Sequence, residues 1–375
     1  MLFPEDPASG ACGRVFAIRA VIRRGSSLIC EDMADPVPGP GQVLVKTLAC
    51  GICGSDLHAL HHLDHMIEMG RRAGASDRID TKKDMVFGHE FSAEILDHGP
   101  GTQGLLKAGT RVVSFPAAIG ADGVELIGYS NTYPGGFAQR MVLTEAMLLP
   151  VKNGLSDEEA AMTEPFAVGA HAVAQADLQP GGVCLVLGCG PVGLAIIAAL
   201  KQRGHGPVIA ADFSAARRAM AERLGADKLV DPAQMSPHLA WSDFGVPSTM
   251  AAHMLAEMTG QAIARPVVFE CVGAPGVLQS VIEGCPPKAQ IIVAGVCMEA
   301  DRIEPSLAIN KQLDLRFVFG YSAQEFGQTL HDIAEGLLDV SPVITARVAL
   351  SDTPDAFKTL SRPDQQVKIV VQPWR

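Results

Sequence analysis

Three residues in the first quarter of the chain have side chains that commonly bind zinc. Cys53 lies in the segment CGICGSDLH, and His89 and Glu90 lie in GHEF. Thiolate and imidazole are ligands that zinc prefers, and a carboxylate is the third common choice. A catalytic zinc needs three protein ligands and one open position. Cys53, His89 and one carboxylate would meet that number, although each residue alone is more often a core or surface residue.

A glycine pattern in the middle of the chain predicts a dinucleotide site. Gly188, Gly190 and Gly193 form GxGxxG directly after the apolar run VCLVL, and Pro191 and Val192 open the apolar segment that follows. The first glycine permits a tight turn, the second lets backbone approach a pyrophosphate, and the third allows close helix–strand packing. The N-terminus of the helix then faces the phosphates.

The residue at the end of the next apolar run indicates which dinucleotide binds. Asp212 lies nineteen residues beyond Gly193 and can accept hydrogen bonds from ribose hydroxyls, whereas it would repel a ribose phosphate. NAD is therefore favoured over NADP, although Arg217 and Arg218 lie close enough to keep NADP open. Arg217 is either a second ribose contact or part of a solvated helix face.

Two patterns of apolar residues surround these motifs. In the first 150 residues, Gly and Pro separate short apolar runs, which predicts an antiparallel, barrel-like domain. After about Asp177, strand-like and helix-like segments alternate, which predicts a parallel, doubly wound sheet. From Asp314 onward the chain is expected to return to the first domain.

Composition narrows the classes of partner. The chain has 375 residues, 48% of them hydrophobic, and a formal net charge of -11. The length predicts two domains, and the negative charge argues against nucleic acid or an anionic membrane as a partner. A small-molecule substrate fits better.

Localisation and redox state are predicted from what the sequence lacks. The first twenty residues show no signal-peptide pattern, and no eighteen apolar residues run uninterrupted, so a soluble, cytoplasmic protein is expected. The nine cysteines are scattered along the chain, so the sequence predicts no disulfide framework.

The motifs together resemble one family. CGICGSDLH, GHE, TYPGGFAQRMVL, TEPFAVGAHAV and GxGxxG occur in the order found in the zinc-containing medium-chain dehydrogenases/reductases, and the resemblance covers nearly the whole chain. It implies an α/β protein with a GroES-like β-rich catalytic domain and a Rossmann domain built on a doubly wound parallel sheet. The implied bounds are 1–177 for the first part of the catalytic domain, 178–318 for the Rossmann domain and 319–375 for the return.

The resemblance also assigns the metal site. Cys53 and His89 match the family's first two zinc ligands, and the third position aligns with Glu164 in TEPF. Glu90 and Glu164 are competing carboxylates, one binding directly and the other exchanging or acting through water. No cysteine lies between Asp97 and Val183, so one catalytic zinc per chain and no structural zinc are predicted.

Further residues take roles by the same resemblance. Ser55 matches the hydroxyl that accepts the substrate proton, His58 the histidine that relays it to solvent, and Asp56 the carboxylate that orients a zinc-bound imidazole. Two strand-end segments match those that hold the nicotinamide ring: Cys271, Val272 and Gly273, and Ala294, Gly295 and Val296. The interval between Cys53 and His89 is longer than in the family, and its extra residues, roughly 59–83, are predicted to form a helical flap near the cleft.

The implied activity is hydride transfer between NAD(H) and a small alcohol or carbonyl compound. Glu164 favours a secondary alcohol, diol or polyol, although Phe115, Ile119 and Phe166 could line an apolar cleft for aryl or aliphatic alcohols. A homodimer or homotetramer is expected by analogy. The alternatives are a zinc-free NADPH-dependent quinone or enone reductase and a non-catalytic binding module.

Overall fold

The computed structural model describes residues 17–75, 78–362, 364 and 366–375. The predictions made on the first sixteen residues, including the lack of a signal peptide there, lie outside the described residues. Within those ranges, no helix combines the length and the apolar character needed to cross a bilayer.

The described chain alternates between strand-rich and helix-rich regions. Its strands are β1 Ala17–Arg24, β2 Ser27–Ala34, β3 Gln42–Gly51, β4 Met85–Val86, β5 Glu90–His98, β6 Arg111–Ser114, β7 Ala117–Gly120, β8 Gly123–Leu126, β9 Arg140–Thr144, β10 Leu148–Pro150, β11 Val183–Leu187, β12 Val208–Ala211, β13 Lys228–Val230, β14 Pro266–Glu270, β15 Gln290–Val293, β16 Asp314–Phe317, β17 Ile344–Ala349 and β18 Lys368–Gln372. Its α-helices are α1 Gly54–Arg72, α2 Asp157–Ala161, α3 Thr163–Ala174, α4 Pro191–Gln202, α5 Ala215–Arg223, α6 Met250–Met258, α7 Val277–Gly284, α8 Pro305–Lys311, α9 Ala323–Ala334 and α10 Thr353–Leu360.

The first strands form a mostly antiparallel assembly around one core. A seven-stranded sheet has the order β10-β6-β5-β3-β18-β17, with β9 also paired to β3. A three-stranded sheet, β2-β1-β4, and the β7–β8 hairpin flank it. Phe87 and Phe137 are fully buried in the core beneath. The predicted antiparallel character therefore holds for most strand pairs, with β17 and β18 as a parallel pair.

The C-terminal strand joins this first assembly. β18 runs antiparallel to β3, with Val370 opposite Gly51 and Val371 opposite Cys50. The pairing brings the chain's end beside the CGICG segment. The domain bounds assigned above stay a prediction.

The central region forms a parallel sheet of the order β13-β12-β11-β14-β15-β16. Every residue of β11 and β14 is buried, as expected for strands covered on both faces. The strand order reverses between β11 and β14, and in such sheets a crevice opens there at the carboxyl ends of the strands. In sheets of this kind, ligands commonly bind at that position.

Helix α3 connects the two regions by unusually close packing. A Cβ atom at Gly169 would lie 2.6 Å from the Cβ of Ala195 in α4, so only glycine fits at that crossing. Met162 and Phe166 pack in the same cluster as Leu194 and Val370. This packing fixes the first turn of α3, which carries Glu164, against both sheets.

The inserted segment begins as a helix. Helix α1 covers its first part as far as Arg72, with non-helical dihedral angles at His62. Ala59 and Leu63 are buried on one face of α1, which packs against the first core. Residues 73–75 and 78–84 form turns and irregular backbone.

Candidate metal centre and cofactor site

The zinc-type side chains predicted from the sequence converge in the structure. Cys53 follows β3 and is the N-cap of α1, while His89 and Glu90 lie at the start of β5. Their ligand atoms all lie within 4.8 Å of one another. Within the described residues, no second group of three such side chains converges in this way.

Glycines give this cluster its space. A Cβ atom at Gly51 would collide with Oε2 of Glu90, so the strand end must be glycine for the carboxylate to lie there. Gly88, which precedes His89, has a φ of 100° and would bring a Cβ within 2.8 Å of Cys50 Sγ. Gly51 and Gly88 therefore allow the end of β3 and the start of β5 to lie close together. One thiol, one imidazole and one carboxylate at these separations fit a zinc ion.

Glu90 is held by a cation that the sequence analysis missed. The Nζ atom of Lys368 donates to Oε1 and Oε2 of Glu90 at 2.7 Å and to the carbonyl of Ile52 at 3.1 Å. Glu90 is 0% exposed and Lys368 1%. Burial acts to lower the pKa of Lys368, but the attraction of Glu90 and Cys53 outweighs it and raises that pKa. The ammonium group is therefore charged.

Asp56 contacts two members of the cluster. Its Oδ2 accepts the Cys53 N–H at 3.0 Å, and its Oδ1 lies 3.4 Å from Nδ1 of His89. This arrangement leaves Nε2 of His89 as the nitrogen that can bind a metal. Burial opposes the charged imidazole, but the Asp56 carboxylate outweighs it and raises the pKa of His89.

Tyr129 completes this network and was also missed. Its hydroxyl donates to Ser55 Oγ at 2.9 Å and lies 3.4 Å from Oδ1 of Asp56. Its ring centroid lies 5.5 Å from that of His89. Burial raises the pKa of Tyr129, so the phenol is a hydrogen-bond donor rather than a phenolate. A tyrosine in the GYSN segment carries no signal of this role in the sequence.

His58 lies one turn beyond Ser55 on α1 and is exposed. Ser55 Oγ is 3.4 Å from Nε2 of His89, at the edge of the metal cluster. The two side chains thus span from the cluster toward solvent. Among the described residues, no hydrogen bond joins Ser55 to His58.

The two competing carboxylates occupy different positions. Glu90 is grouped with Cys53 and His89, whereas Glu164 is outside that group. Oε1 of Glu164 accepts a hydrogen bond from the Tyr321 hydroxyl at 2.8 Å. Burial raises the pKa of Glu164 to about 7, an effect that His89 reduces and Glu90 increases. Which carboxylate binds zinc directly stays a prediction.

Of the three residues predicted to line an apolar cleft, the structure contradicts one. Phe115 packs against Tyr321, with ring centroids 5.3 Å apart, and Ile119 is exposed in β7. Phe166 is 1% exposed and belongs to the core between α3 and α4, so its assignment to an open cleft is wrong. Its side chain points into the helix packing because that face of α3 is apolar.

The glycine motif has the predicted geometry. Gly190 caps α4, which begins at Pro191, and Val192 follows in the first turn. A Cβ atom at Gly193 would overlap the carbonyl of Gly188, whose φ is 88°. This close approach of strand and helix is what the third glycine provides in a dinucleotide site.

Asp212 lies at the end of β12, beside this turn. Oδ2 of its carboxylate accepts the Cys189 N–H at 2.8 Å, and Oδ1 accepts the Ser214 N–H at 2.8 Å. Nη1 of Arg217 lies 4.0 Å from Oδ2 of Asp212. The carboxylate is therefore anchored in place next to the glycine turn, with Arg217 close enough to contact the same ligand.

The two strand-end segments predicted to hold the nicotinamide lie side by side. A Cβ atom at Gly273 would lie 2.6 Å from the Val296 nitrogen, so the segments approach as only glycine allows. Glu270, another missed residue, joins them. Its Oε1 accepts from Val272 and Gly273, and its carbonyl accepts from Ala294 and Gly295. Cys271 donates its N–H to the Leu187 carbonyl, next to the glycine turn.

Comparisons with known proteins identify the family. A model described as "Zinc-binding dehydrogenase" matches residues 191–335, and one described as "Alcohol dehydrogenase GroES-like domain" matches residues 39–153. (R,R)-butanediol dehydrogenase of Bacillus subtilis (strain 168) is 31% identical over 352 residues, which are 92% of this chain and 96% of the relative. Sorbitol dehydrogenase of the same organism is 26% identical over 370 residues, 95% of this chain and 97% of the relative.

A solved structure agrees with this relationship. The X-ray structure of 2R,3R-butanediol dehydrogenase from Bacillus subtilis superposes with a TM-score of 0.75 at 29% identity, covering 95% of this chain and 99% of that chain. The chain belongs to the zinc-containing medium-chain dehydrogenase/reductase family of alcohol and polyol dehydrogenases. It is an oxidoreductase acting on CH–OH groups of small molecules, and the predicted family and fold class are confirmed.

Proposed function

We propose that this protein is a zinc- and NAD-dependent dehydrogenase that oxidises a vicinal diol or short polyol to the hydroxy ketone. The observation that carries the proposal is the convergence of Cys53, His89 and Glu90 within 4.8 Å, beside the half-buried Glu164–Tyr321 pair. The names of the butanediol and sorbitol dehydrogenase relatives support the substrate class.

Cys53, His89 and a carboxylate would hold the zinc ion, with Glu90 as the direct ligand favoured by its position. A zinc ion bound there lowers the pKa of a substrate hydroxyl as a Lewis acid. Bound NAD supplies the hydride acceptor, and Gly188, Gly190 and Asp212 would hold its pyrophosphate and ribose.

The chain's own residues handle the proton. Ser55 Oγ accepts the hydroxyl proton of the substrate, and His58 passes it to solvent. Because Tyr129 donates to Ser55 Oγ at 2.9 Å, one lone pair of Ser55 is occupied, the other is left to accept the substrate proton, and the hydrogen of Ser55 itself is left to move on toward His58. Tyr129 is thus a positioning residue for the proton acceptor.

The second substrate hydroxyl would be recognised by Glu164 and Tyr321. The pair lies at the side of the cluster formed by α3 and the segment after β16, with Phe115 packed against the Tyr321 ring. A half-buried carboxyl group and a phenol offer both a donor and an acceptor to a hydroxyl next to the reacting carbon. A monoalcohol has no second hydroxyl to bond to this pair and lacks the hydrogen bonds that a diol would gain there.

The alternatives fit less well. A zinc-free quinone or enone reductase has no need of the Cys53, His89 and Glu90 cluster, and an NADPH enzyme would favour a basic residue in place of Asp212. A non-catalytic binding module would have no need of the proton path at Ser55. By family analogy we also propose a homodimer or homotetramer.

A comparison of matched substrates tests the proposal. Initial rates with NAD are measured for 2,3-butanediol, sorbitol and 2-butanol, in the wild type and in Tyr321→Phe. We expect kcat/KM for the diol to exceed that for 2-butanol, and the variant to lose about tenfold of this preference, the size of one hydrogen bond. Tyr133→Phe, whose hydroxyl accepts from Gln42 outside the site, is the control. Equal rates for diol and monoalcohol in the wild type would overturn the proposed substrate class.

A further inference from the structure

The exposed face of α1 carries an unusual concentration of histidine. Four of the chain's eleven histidines lie within eight residues, at positions 58, 61, 62 and 65. All four are exposed, while Ala59 and Leu63 on the same helix are buried. The proposed function uses only His58, and the family pattern does not extend over this inserted part of the sequence.

Helix geometry puts these imidazoles together. In a regular helix of 3.6 residues per turn, the four positions would fall within about 100° of the circumference, opposite the buried face, and α1 departs from this regular form at His62. His61 and His65 are one turn apart, so their Cβ atoms are separated by about 5–6 Å in a regular helix. His61 and His65 have the same i, i+4 sequence spacing as the two metal-binding histidines of an HExxH helix.

Two observations show that the face is available. In the described part of the chain, His61, His62 and His65 have no hydrogen-bond or ion-pair partner, so their ring nitrogens are free. The pKa of His58 is lowered by burial and by the charge of the His62 ring. Imidazole suits borderline divalent cations such as Zn²⁺ and Ni²⁺.

We propose that His61 and His65 form a second, weaker and exposed site for a divalent transition-metal cation, separate from the cluster at Cys53. The remaining positions around the cation are filled by water, since no third ligand converges there among the described residues. His62, between the two ligands, has non-helical angles of φ -127° and ψ 23°. A cation held by both rings would therefore join the two sides of this kink. The site does not depend on the proposed function.

Calorimetric titration of the tag-free, zinc-loaded protein with Zn²⁺ tests the site. We expect one further, weaker equivalent in the wild type and its loss in His61→Ala, in His65→Ala and in the double variant. His331→Ala removes an exposed histidine from α9 and should retain the second equivalent. No second equivalent in the wild type, or full retention in the double variant, would overturn the proposal. Retention in either single variant would show that the two rings do not act together, which also contradicts it.

A further variant separates this proposal from the proposed function. Cys53→Ser should lose the tight zinc equivalent but still take up the weaker one, because its ligands lie outside the cluster. If the wild type holds no tight zinc but takes up the weaker equivalent, the proposed function fails while the histidine site stands. If Cys53→Ser loses both equivalents, the weaker one belongs to the cluster and the histidine site is wrong.

Discussion

The ammonium group of Lys368 lies 2.7 Å from both carboxylate oxygens of Glu90, and neither side chain has more than 1% of its surface exposed. The two residues are 278 positions apart and meet because β18 pairs with β3, the strand that leads to Cys53. Glu90 is thereby fixed beside the other two metal-type ligands. The pair links the end of the chain directly to the candidate metal centre.

Replacing Lys368 with methionine should destabilise the protein. The substitution leaves the Glu90 carboxylate buried without its cation, and breaking such a pair costs about 3–5 kcal/mol. The free energy of unfolding, measured by urea titration, would show the loss. Lys358→Met is the matched control, because Lys358 and its partner Asp355 are 77% and 80% exposed and should change stability by less than about 0.5 kcal/mol. Similar values for the two variants would contradict a structural role for the buried pair.

Tyr129→Phe should lower kcat with little effect on KM. The variant keeps the ring beside His89 but removes the hydroxyl that donates to Ser55, so the proton acceptor loses its orientation rather than its place. A decrease of about tenfold in kcat corresponds to one hydrogen bond. Steady-state kinetics with the best diol, compared with Tyr133→Phe, would measure it. Unchanged kcat in Tyr129→Phe would remove Tyr129 from the proton path.

Asp212→Ala should weaken the preference for NAD. The variant removes a carboxylate whose two oxygens are anchored by backbone N–H groups beside the glycine turn. Hydrogen bonds to a charged group are worth about 1.5–3 kcal/mol, so kcat/KM for NAD should fall by about 10- to 100-fold. The value for NADP should stay level or rise, because the repulsion of the ribose phosphate is lost. An equal decrease with both cofactors would argue against a ribose contact, and Asp355→Ala on the exposed face of α10 should change neither.

His238 should make stability depend on pH. Burial lowers its pKa from 6.5 to about 4, and Lys311 adds to the effect. The unfolded chain therefore binds this proton at a higher pH than the folded protein does, and stability is lost as the pH falls from about 6.5 to about 4. His238→Gln should lose less stability over this interval when urea unfolding is measured at each pH. Parallel curves for the two proteins would show that the ring titrates alike in both states.

Most of the site residues that could be predicted lie in short sequence motifs. Cys53, His89 and Glu90 were proposed together because the segments that hold them, CGICGSDLH and GHE, resemble those of a known family, and the glycines of GxGxxG because their spacing reflects a close backbone approach. These signals are contained in short segments. The parallel sheet could also be predicted, since its central strands β11 and β12 are apolar throughout and its strands alternate with helices.

The missed residues depend on contacts between distant segments. Lys368 is a single lysine in an apolar strand, and Tyr129, Tyr321 and Glu270 have no neighbours in sequence that mark their roles. Each acts through a partner brought near only by strand pairing or helix packing. Phe166 failed for the converse reason, because an apolar residue next to Glu164 could face either the cleft or the core, and the close crossing of α3 and α4 decides for the core.

The zinc content of the purified protein tests the central claim most directly. Elemental analysis after dialysis, together with NAD reduction by a diol before and after chelation, is carried out on the wild type and on Cys53→Ser. The account predicts about one tightly held zinc per wild-type chain, activity that chelation abolishes and zinc restores, and neither zinc nor activity in the variant. A wild-type protein that holds no zinc and keeps its nicotinamide-linked activity after chelation would contradict it.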